Sequence, residues 1–553
     1  MSYNYTKFDT PLLEHIPGGL HPGKMFTIKG FTQYGFQRVS INLQSDSSDD
    51  AVIAFHLNPR LDSNEVCCNT YDGGWGDEQL HSEYFPFNEG QRFTLRIVVG
   101  EHAYRVFVNG SFFLEFEHRV CYDTVRWLRI SDGLELHEVI MQDYVKVPYV
   151  GTIENGMAIG KAIEIKGVPT FDDESGPNAT RFSFNFCYEG ENDDFIGLHF
   201  NPRPDGETVV LNNYNDGWGE EQIVEYNPFR PWTMFNLMFV ATEEGMRIFL
   251  DHKLFAVYPY RCGVHEMRYL HIKGSVSIAS VQYLEPLPND FMKEIPSGLQ
   301  PKDVIKVKGM MHPHGERVFI NLKSGDEIPF HFNPRHDEGE VVMNNYSTSD
   351  EWGEEVREPL PSCFMDLIPF EVKIKVRKDK FKIYVNERSY AKFYVRQDID
   401  HVYAINTGGD ASFYQVKILR RMEPPYIEEL PSPLDYGRWI HVTGAVIKHQ
   451  ERFHIDLHSG DNIAMHFNPR IPDQVVVRNS YLDGEWGEED RENDYFPFEE
   501  SEPFDIFISC QPDAYKIYIN GVFFADYPHR FPCQSVTHLL VGEGAHFFEP
   551  EIL

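Results

Sequence analysis

A histidine, an asparagine and an arginine recur at alternate positions in four similar hexapeptides, "FHLNPR" from Phe55, "LHFNPR" from Leu198, "FHFNPR" from Phe330 and "MHFNPR" from Met465. In an extended strand, alternate side chains leave the same face. His56, Asn58 and Arg60 are therefore expected to project together, as are His199, Asn201 and Arg203, His331, Asn333 and Arg335, and His466, Asn468 and Arg470. Nine residues beyond each arginine stands a second asparagine, Asn69, Asn212, Asn344 or Asn479, with tyrosine two residues on. A turn of variable length leads to Trp75, Trp218, Trp352 or Trp486, and three residues later to Glu78, Glu221, Glu355 or Glu489.

Imidazole, amide, guanidinium and carboxylate groups together offer both donors and acceptors, which suits a sugar hydroxyl because it does both. Charged partners strengthen such bonds, and the carboxylate can hold the guanidinium in place. Each tryptophan follows a polar turn and precedes "GDE" or "GEE", a setting that predicts exposure. An exposed indole is a flat apolar platform for the C–H face of a pyranose. That face is continuous in galactose, whose axial hydroxyl lies on the opposite side. A lone strand histidine or lone tryptophan is more often structural, and an Arg-Glu pair can be a surface salt bridge worth about 0–1 kcal/mol. Four copies in the same company favour a site. The "FPF" triplets at Phe85 and Phe496 read as core.

His56, His199, His331 and His466 lie 143, 132 and 135 residues apart, so the repeating unit is a whole domain and not a short solenoid turn. The reading is four domains, residues 1–147, 148–286, 287–422 and 423–553. Strands such as "RVFINLKS" and hairpin segments such as "YKIYINGVFFADY" alternate with period two, and helical periodicity is nearly absent. Many short strands separated by turns predict an all-β chain of antiparallel sandwiches or jelly rolls. The joints "VPYVGTIENG", "EPLPNDFMKEIP" and "MEPPYIEELP" are short and proline-bearing, which predicts units held close together.

Fifty lysines and arginines against 85 acidic residues leave a formal net charge of −35. Nucleic acid and anionic membranes are therefore poor partners. No signal peptide or transmembrane run is evident, so cytosolic synthesis is expected, and the Asn-x-Thr triplets at Asn4 and Asn178 are expected to stay unmodified. The eight cysteines occupy different places in the repeats and lack CxxC spacing, which points to buried free thiols rather than zinc or a disulfide framework.

The H-x-N-P-R, N and W-G-x-E-x-R series closely resembles the galectin signature, and it covers nearly the whole chain four times. The resemblance implies four tandem galectin-type jelly rolls that bind β-galactosides without metal or cofactor. It places His, the first Asn and Arg on the galactose 4-hydroxyl, the second Asn and Glu on the 6-hydroxyl, and Trp against the ring. Glu with the final Arg would reach the adjoining sugar. It also implies multivalent cross-linking of galactose-bearing glycans by a monomer, and export by a route independent of a signal peptide.

The chain departs from the pattern in two places. The final arginine is present as Arg357 and Arg491 but replaced by Leu80 and Ile223, and tyrosine and tryptophan are four, four, six and five residues apart. A glycosidase needs two facing carboxyl groups about 5–10 Å apart, whereas the repeated row carries one acid per unit. A scaffold in which some units bind protein or other ligands fits the first two units better than the last two.

Overall fold

The structure, a computed structural model, describes residues 2–5, 10–16, 19–100, 102–109, 111–142, 145–171, 180–190, 193–295, 298–349, 351–365, 367–399, 401–422, 424–430, 433–500, 502–548 and 550–552. Thr6 of the first Asn-x-Thr triplet and Asn178 of the second lie outside them. Among the described residues the chain is built of strands, with only three-residue 3-10 turns between them. None of its helices is long and apolar enough to cross a membrane.

Period-two sequences became two-layer sandwiches, as expected. In the third unit one sheet orders Phe291–Glu294, Ala404–Gly409, Val318–Ser324, Glu327–Arg335, Glu340–Ser347 and Glu351–Trp352, with Val356–Pro359 also pairing on Glu340–Ser347. This front sheet carries the repeated polar row. The back sheet orders Arg388–Tyr394, Lys380–Val385, Pro369–Val376, Val304–Met311 and Ala411–Leu419. Inward side chains such as Val307, Phe330, Phe332, Ile374 and Phe413 fill the space between. Burying one such side chain stabilises by about 1.5–3 kcal/mol, so each unit has its own core beneath its polar face. Separate cores of the same kind occupy the other three units.

The late hairpins turn through residues with positive φ: Asn386 and Glu387 at 45° and 64°, Asn520 and Gly521 at 52° and 79°. The second unit lacks the Asn signal, yet Asp251 and His252 adopt 48° and 63°. A short polar side chain tolerates this region, which the right-handed strand twist demands of a two-residue turn.

The back sheets meet at a hub. Ala162, Phe249 and Leu284 of the second unit pack on Met310 and Tyr414 of the third. Val168 and Ala279 of the second unit pack on Trp439, Phe507 and Tyr518 of the fourth. Trp439 Nε1 donates to Ser277 Oγ at 3.2 Å, and Lys417 Nζ lies 2.9 Å from Glu551. The first unit joins through Ser2–Tyr5, which pairs with both Leu134–Gln142 and Val276–Leu284, and through the Arg96–Glu428 ion pair. The closeness predicted from the short linkers is thus realised by specific contacts.

Six of the eight cysteines are buried free thiols, whereas Cys121 is exposed and Cys262 half-buried. Both of these lie in the connectors after the late hairpins, and Cys262 packs against the edge of the second unit's core.

Candidate functional site

Strand register brings the repeated residues together in every unit. His331 stands opposite Asn344 on one neighbouring strand and Asn321 on the other. His56, His199 and His466 are bracketed the same way by Asn69 and Asn42, Asn212 and Asn185, and Asn479 and Asp456. Each Nδ1 lies 2.6–2.7 Å from the side-chain oxygen of Asn42, Asn185, Asn321 or Asp456. Opposite Asn42, Asn185 and Asn321, the amide oxygen places the proton on Nδ1 and leaves Nε2 as a lone pair for an outside donor. Sequence reasoning missed these four partners, although they repeat in the alternating strand before each motif.

Burial, reinforced by the neighbouring arginine, pushes His56, His199 and His331 down to about 4. The folded chain therefore binds fewer protons than the unfolded chain between about pH 4 and pH 6.5. Stability from this source is present above pH 6.5 and is lost as pH falls towards 4. Denaturation midpoints are expected to drop across that window, and replacing the three histidines with glutamine is expected to flatten part of the drop. An unchanged pH profile in the triple variant contradicts this.

The arginines are held on two sides. Arg335 Nε donates to Asn333 Oδ1 at 2.7 Å, while Asn333 Nδ2 donates to the Val318 carbonyl. Arg60, Arg203, Arg335 and Arg470 lie 2.5, 2.8, 3.1 and 2.8 Å from Glu78, Glu221, Glu355 and Glu489. The polar row is thus bonded continuously from the first asparagine through the arginine to the carboxylate.

The second asparagine is 2–3% exposed in every unit. Its Nδ2 donates to the carbonyl of Gly76, Gly219, Gly353 or Gly487 at 2.9–3.0 Å, and its Oδ1 accepts the next backbone N–H. Its first task is to pin the tryptophan loop, which leaves one amide hydrogen for anything else. The pinned position is tight in the third unit, where a Cβ on Gly353 would stand 2.6 Å from Asn345 Oδ1.

A second pin was also missed. Arg119, Arg261, Arg396 and Arg530, which follow the late hairpins, donate to the carbonyls of Asp77, Glu220, Glu354 and Glu488 at 2.5–2.7 Å. The fixed place of these arginines in the repeats is the signal that could have found them.

With both pins in place, the variable turn lengths do not matter. Trp75, Trp218, Trp352 and Trp486 are 56, 56, 49 and 51% exposed, and their rings lie 4.7, 4.8, 4.8 and 4.9 Å from the histidine rings. The same platform beside the same polar row is built four times. Such a surface can bind a ligand with one apolar face and several hydroxyls.

The galactoside-binding lectin family model matches residues 11–141, 148–283, 290–418 and 425–549. The chain belongs to the galectin family. A 32 kDa beta-galactoside-binding lectin of Haemonchus contortus is 32% identical over 269 residues, covering 47% of this chain and 93% of the relative. Galectin-6 of Mus musculus is 33% identical over 302 residues, covering 51% and 96%. Both relatives match about half the length of this galectin, which holds four copies of the family domain.

The four galectin sites differ at their far ends. In the third, Arg357 reaches Glu340 at 2.6 Å and Glu338 at 2.8 Å and also contacts Glu355, so three carboxylates converge where the sequence reading put one. In the fourth, Arg491 contacts Glu489. Leu80 and Ile223 instead stand 50% and 48% exposed. Among the described residues, only the fourth unit buries an arginine beneath its site. Arg478, 1% exposed, donates to Asp490 at 2.7 and 3.0 Å.

Proposed function

We infer that the protein is a multivalent lectin that binds β-galactosides at four sites and cross-links galactose-bearing glycans as a monomer, by binding and not by catalysis. The observation that carries this reading is one His-Asn-Arg-Asn-Trp-Glu constellation repeated in four front sheets while the hub is made chiefly by the back sheets. His, the first Asn and Arg take the galactose 4-hydroxyl, the second Asn and Glu the 6-hydroxyl, and Trp the ring. The unpaired thiols support residence in the reducing cytosol, and the extracellular location of most such glycans then requires export.

The platform can be tested at the fourth site. A sugar face covering about 60–80 Å² of Trp486 is worth about 1.5–2 kcal/mol. Trp486→Ala is therefore expected to weaken lactose binding there by roughly 10–30-fold, with folding retained because the ring is half exposed. Unchanged affinity, or an unfolded fourth unit, overturns the assignment.

The final arginine sets the differences among sites. A hydrogen bond from it in a solvated groove is worth about 1 kcal/mol, several-fold in affinity. In chains with one intact site, the other three tryptophans being alanine, sites three and four are expected to bind lactose more tightly than one and two. Leu80→Arg and Ile223→Arg should recover several-fold. Equal affinities across the four sites, or substitutions that gain nothing, would favour the second reading, in which the exposed Leu80 and Ile223 turn the first two units towards less polar or protein ligands.

A further inference from the structure

Two buried thiols of the fourth unit, Cys510 and Cys533, face an imidazole: their sulfurs and a ring nitrogen of His529 all lie within 4.8 Å of one another. No CxxC spacing announces this cluster, because its members come from separate places in the chain. Cys510 ends the back-sheet strand Pro503–Cys510, whereas His529 and Cys533 lie in the connector that follows the late hairpin.

The imidazole is set to take a further partner. His529 Nε2 lies 2.7 Å from the Gln511 carbonyl, an acceptor that fixes the ring proton on Nε2 and leaves Nδ1 with its lone pair. That Nδ1 is buried without a hydrogen-bond partner, as is the hydroxyl of Tyr515, whose ring lies 4.4 Å from that of His529. Unpaired polar atoms in a protein interior need an account. The first unit supplies a comparison. There His118 holds the same place, with Nε2 3.0 Å from the Gly100 carbonyl and Nδ1 again unpaired, but Val99 and Tyr122 stand where the fourth unit has Cys510 and Cys533. The setting of the imidazole thus belongs to the repeat, and the fourth unit adds two thiols to it.

Among the described residues one other group of metal-ligating side chains is this close, Cys187, Asp193 and His271. There Asp193 already accepts from His271 Nδ1 at 2.7 Å and pairs with the Lys273 ammonium, so a fixed cation holds the place. At the fourth-unit cluster the neighbouring charge is of the opposite sign. Burial pushes both Cys510 and Cys533 up, and the Asp435 carboxylate raises each of them further. A carboxylate beside two thiols favours a cation.

We propose that Cys510, Cys533 and the His529 imidazole bind one zinc ion, with water or Asp435 in the fourth position. Thiolate and imidazole are the ligands of structural zinc, and bonds of about 2.0–2.3 Å in a tetrahedron put the donors about 3.5–3.8 Å apart. The cluster has to contract by about 1 Å to reach that geometry. A carbonyl on the far nitrogen is the outer partner that orients a ligating histidine. Each thiol releases its proton to solvent as its sulfur bonds to the metal. The ion ties the end of a back-sheet strand to the connector, where Arg530, next to His529, pins the tryptophan loop through the Glu488 carbonyl.

The test uses the full chain, reduced, stripped with a chelator, and titrated separately with zinc and cobalt(II). One zinc per chain is expected to bind and to raise the melting midpoint, and bound cobalt is expected to show a thiolate-to-metal charge-transfer band. Cys510→Val, which carries the residue that the first unit has there, and Cys533→Ser are each expected to weaken zinc binding about a hundredfold or more, since even an outer partner of a ligand is worth about 10–100-fold. Cys187→Ser should leave it unchanged, and far-ultraviolet dichroism checks the folding of each variant. The cobalt spectrum is read on the unsubstituted chain, so the test stands if a variant does not fold. No zinc taken up, cobalt bound without the charge-transfer band, or binding that survives both Cys510→Val and Cys533→Ser overturns the proposal.

Discussion

Asp490→Ala is expected to destabilise the fourth domain by about 3 kcal/mol. Its partner Arg478 is 1% exposed and spends its guanidinium on Asp490 and the Glu492 carbonyl. Breaking such a pair leaves a buried charge, which costs about 3–5 kcal/mol, and the 25% exposure of the Asp490 side chain puts the expectation at the lower end. The repeats supply the control. Arg478 and Asp490 occupy the places held by Met343 and Val356 in the third domain, where the two are paired across adjacent strands. Arg478→Met with Asp490→Val is therefore expected to recover most of the loss, because an apolar pair replaces the ion pair and no charge stays buried. Hydrogen exchange in the strand Val475–Leu482 measures both effects on the intact chain. A single substitution without cost, or a double as damaging as the single, contradicts this account.

The larger functional effect is avidity. The hub holds four sites in one molecule, so after the first contact each later one is intramolecular. On a dense glycan surface this raises apparent affinity by roughly 10²–10⁴ where geometry allows two or more sites to engage. Verified monomer is expected to agglutinate galactose-bearing beads, with reversal by lactose, at concentrations at least about a hundredfold below the single-site dissociation constant. Chains with one intact site should bind beads without agglutinating them. Agglutination by single-site chains, or its absence with four intact sites, contradicts the multivalent reading.

Much of this was legible because strands have period two. The His-x-Asn-x-Arg spacing alone put His331, Asn333 and Arg335 on one face, and the structure links Asn333 to Glu355 through Arg335. The exposure of the tryptophans followed from the polar residues around them. Other features were hidden for physical reasons. The Nδ1 partner of each histidine lies 10 or 14 residues away, on another strand, and is an ordinary asparagine or aspartate. The Arg478–Asp490 pair looks like surface charge until the repeats are aligned and both positions are seen to be apolar in the third unit. Trp439, Phe507 and Tyr518 belong to a back sheet's outer face, and alternation cannot tell a face covered by a neighbouring domain from one packed in the core.

The most direct test of the central claim is calorimetric titration of the monomeric full-length chain with lactose. Four sites per chain are expected, filling in two affinity classes, with the third and fourth sites tighter, and with one equivalent lost for each of Arg60→Ala, Arg203→Ala, Arg335→Ala and Arg470→Ala. No saturable binding, or a stoichiometry unmoved by these four substitutions, would contradict it.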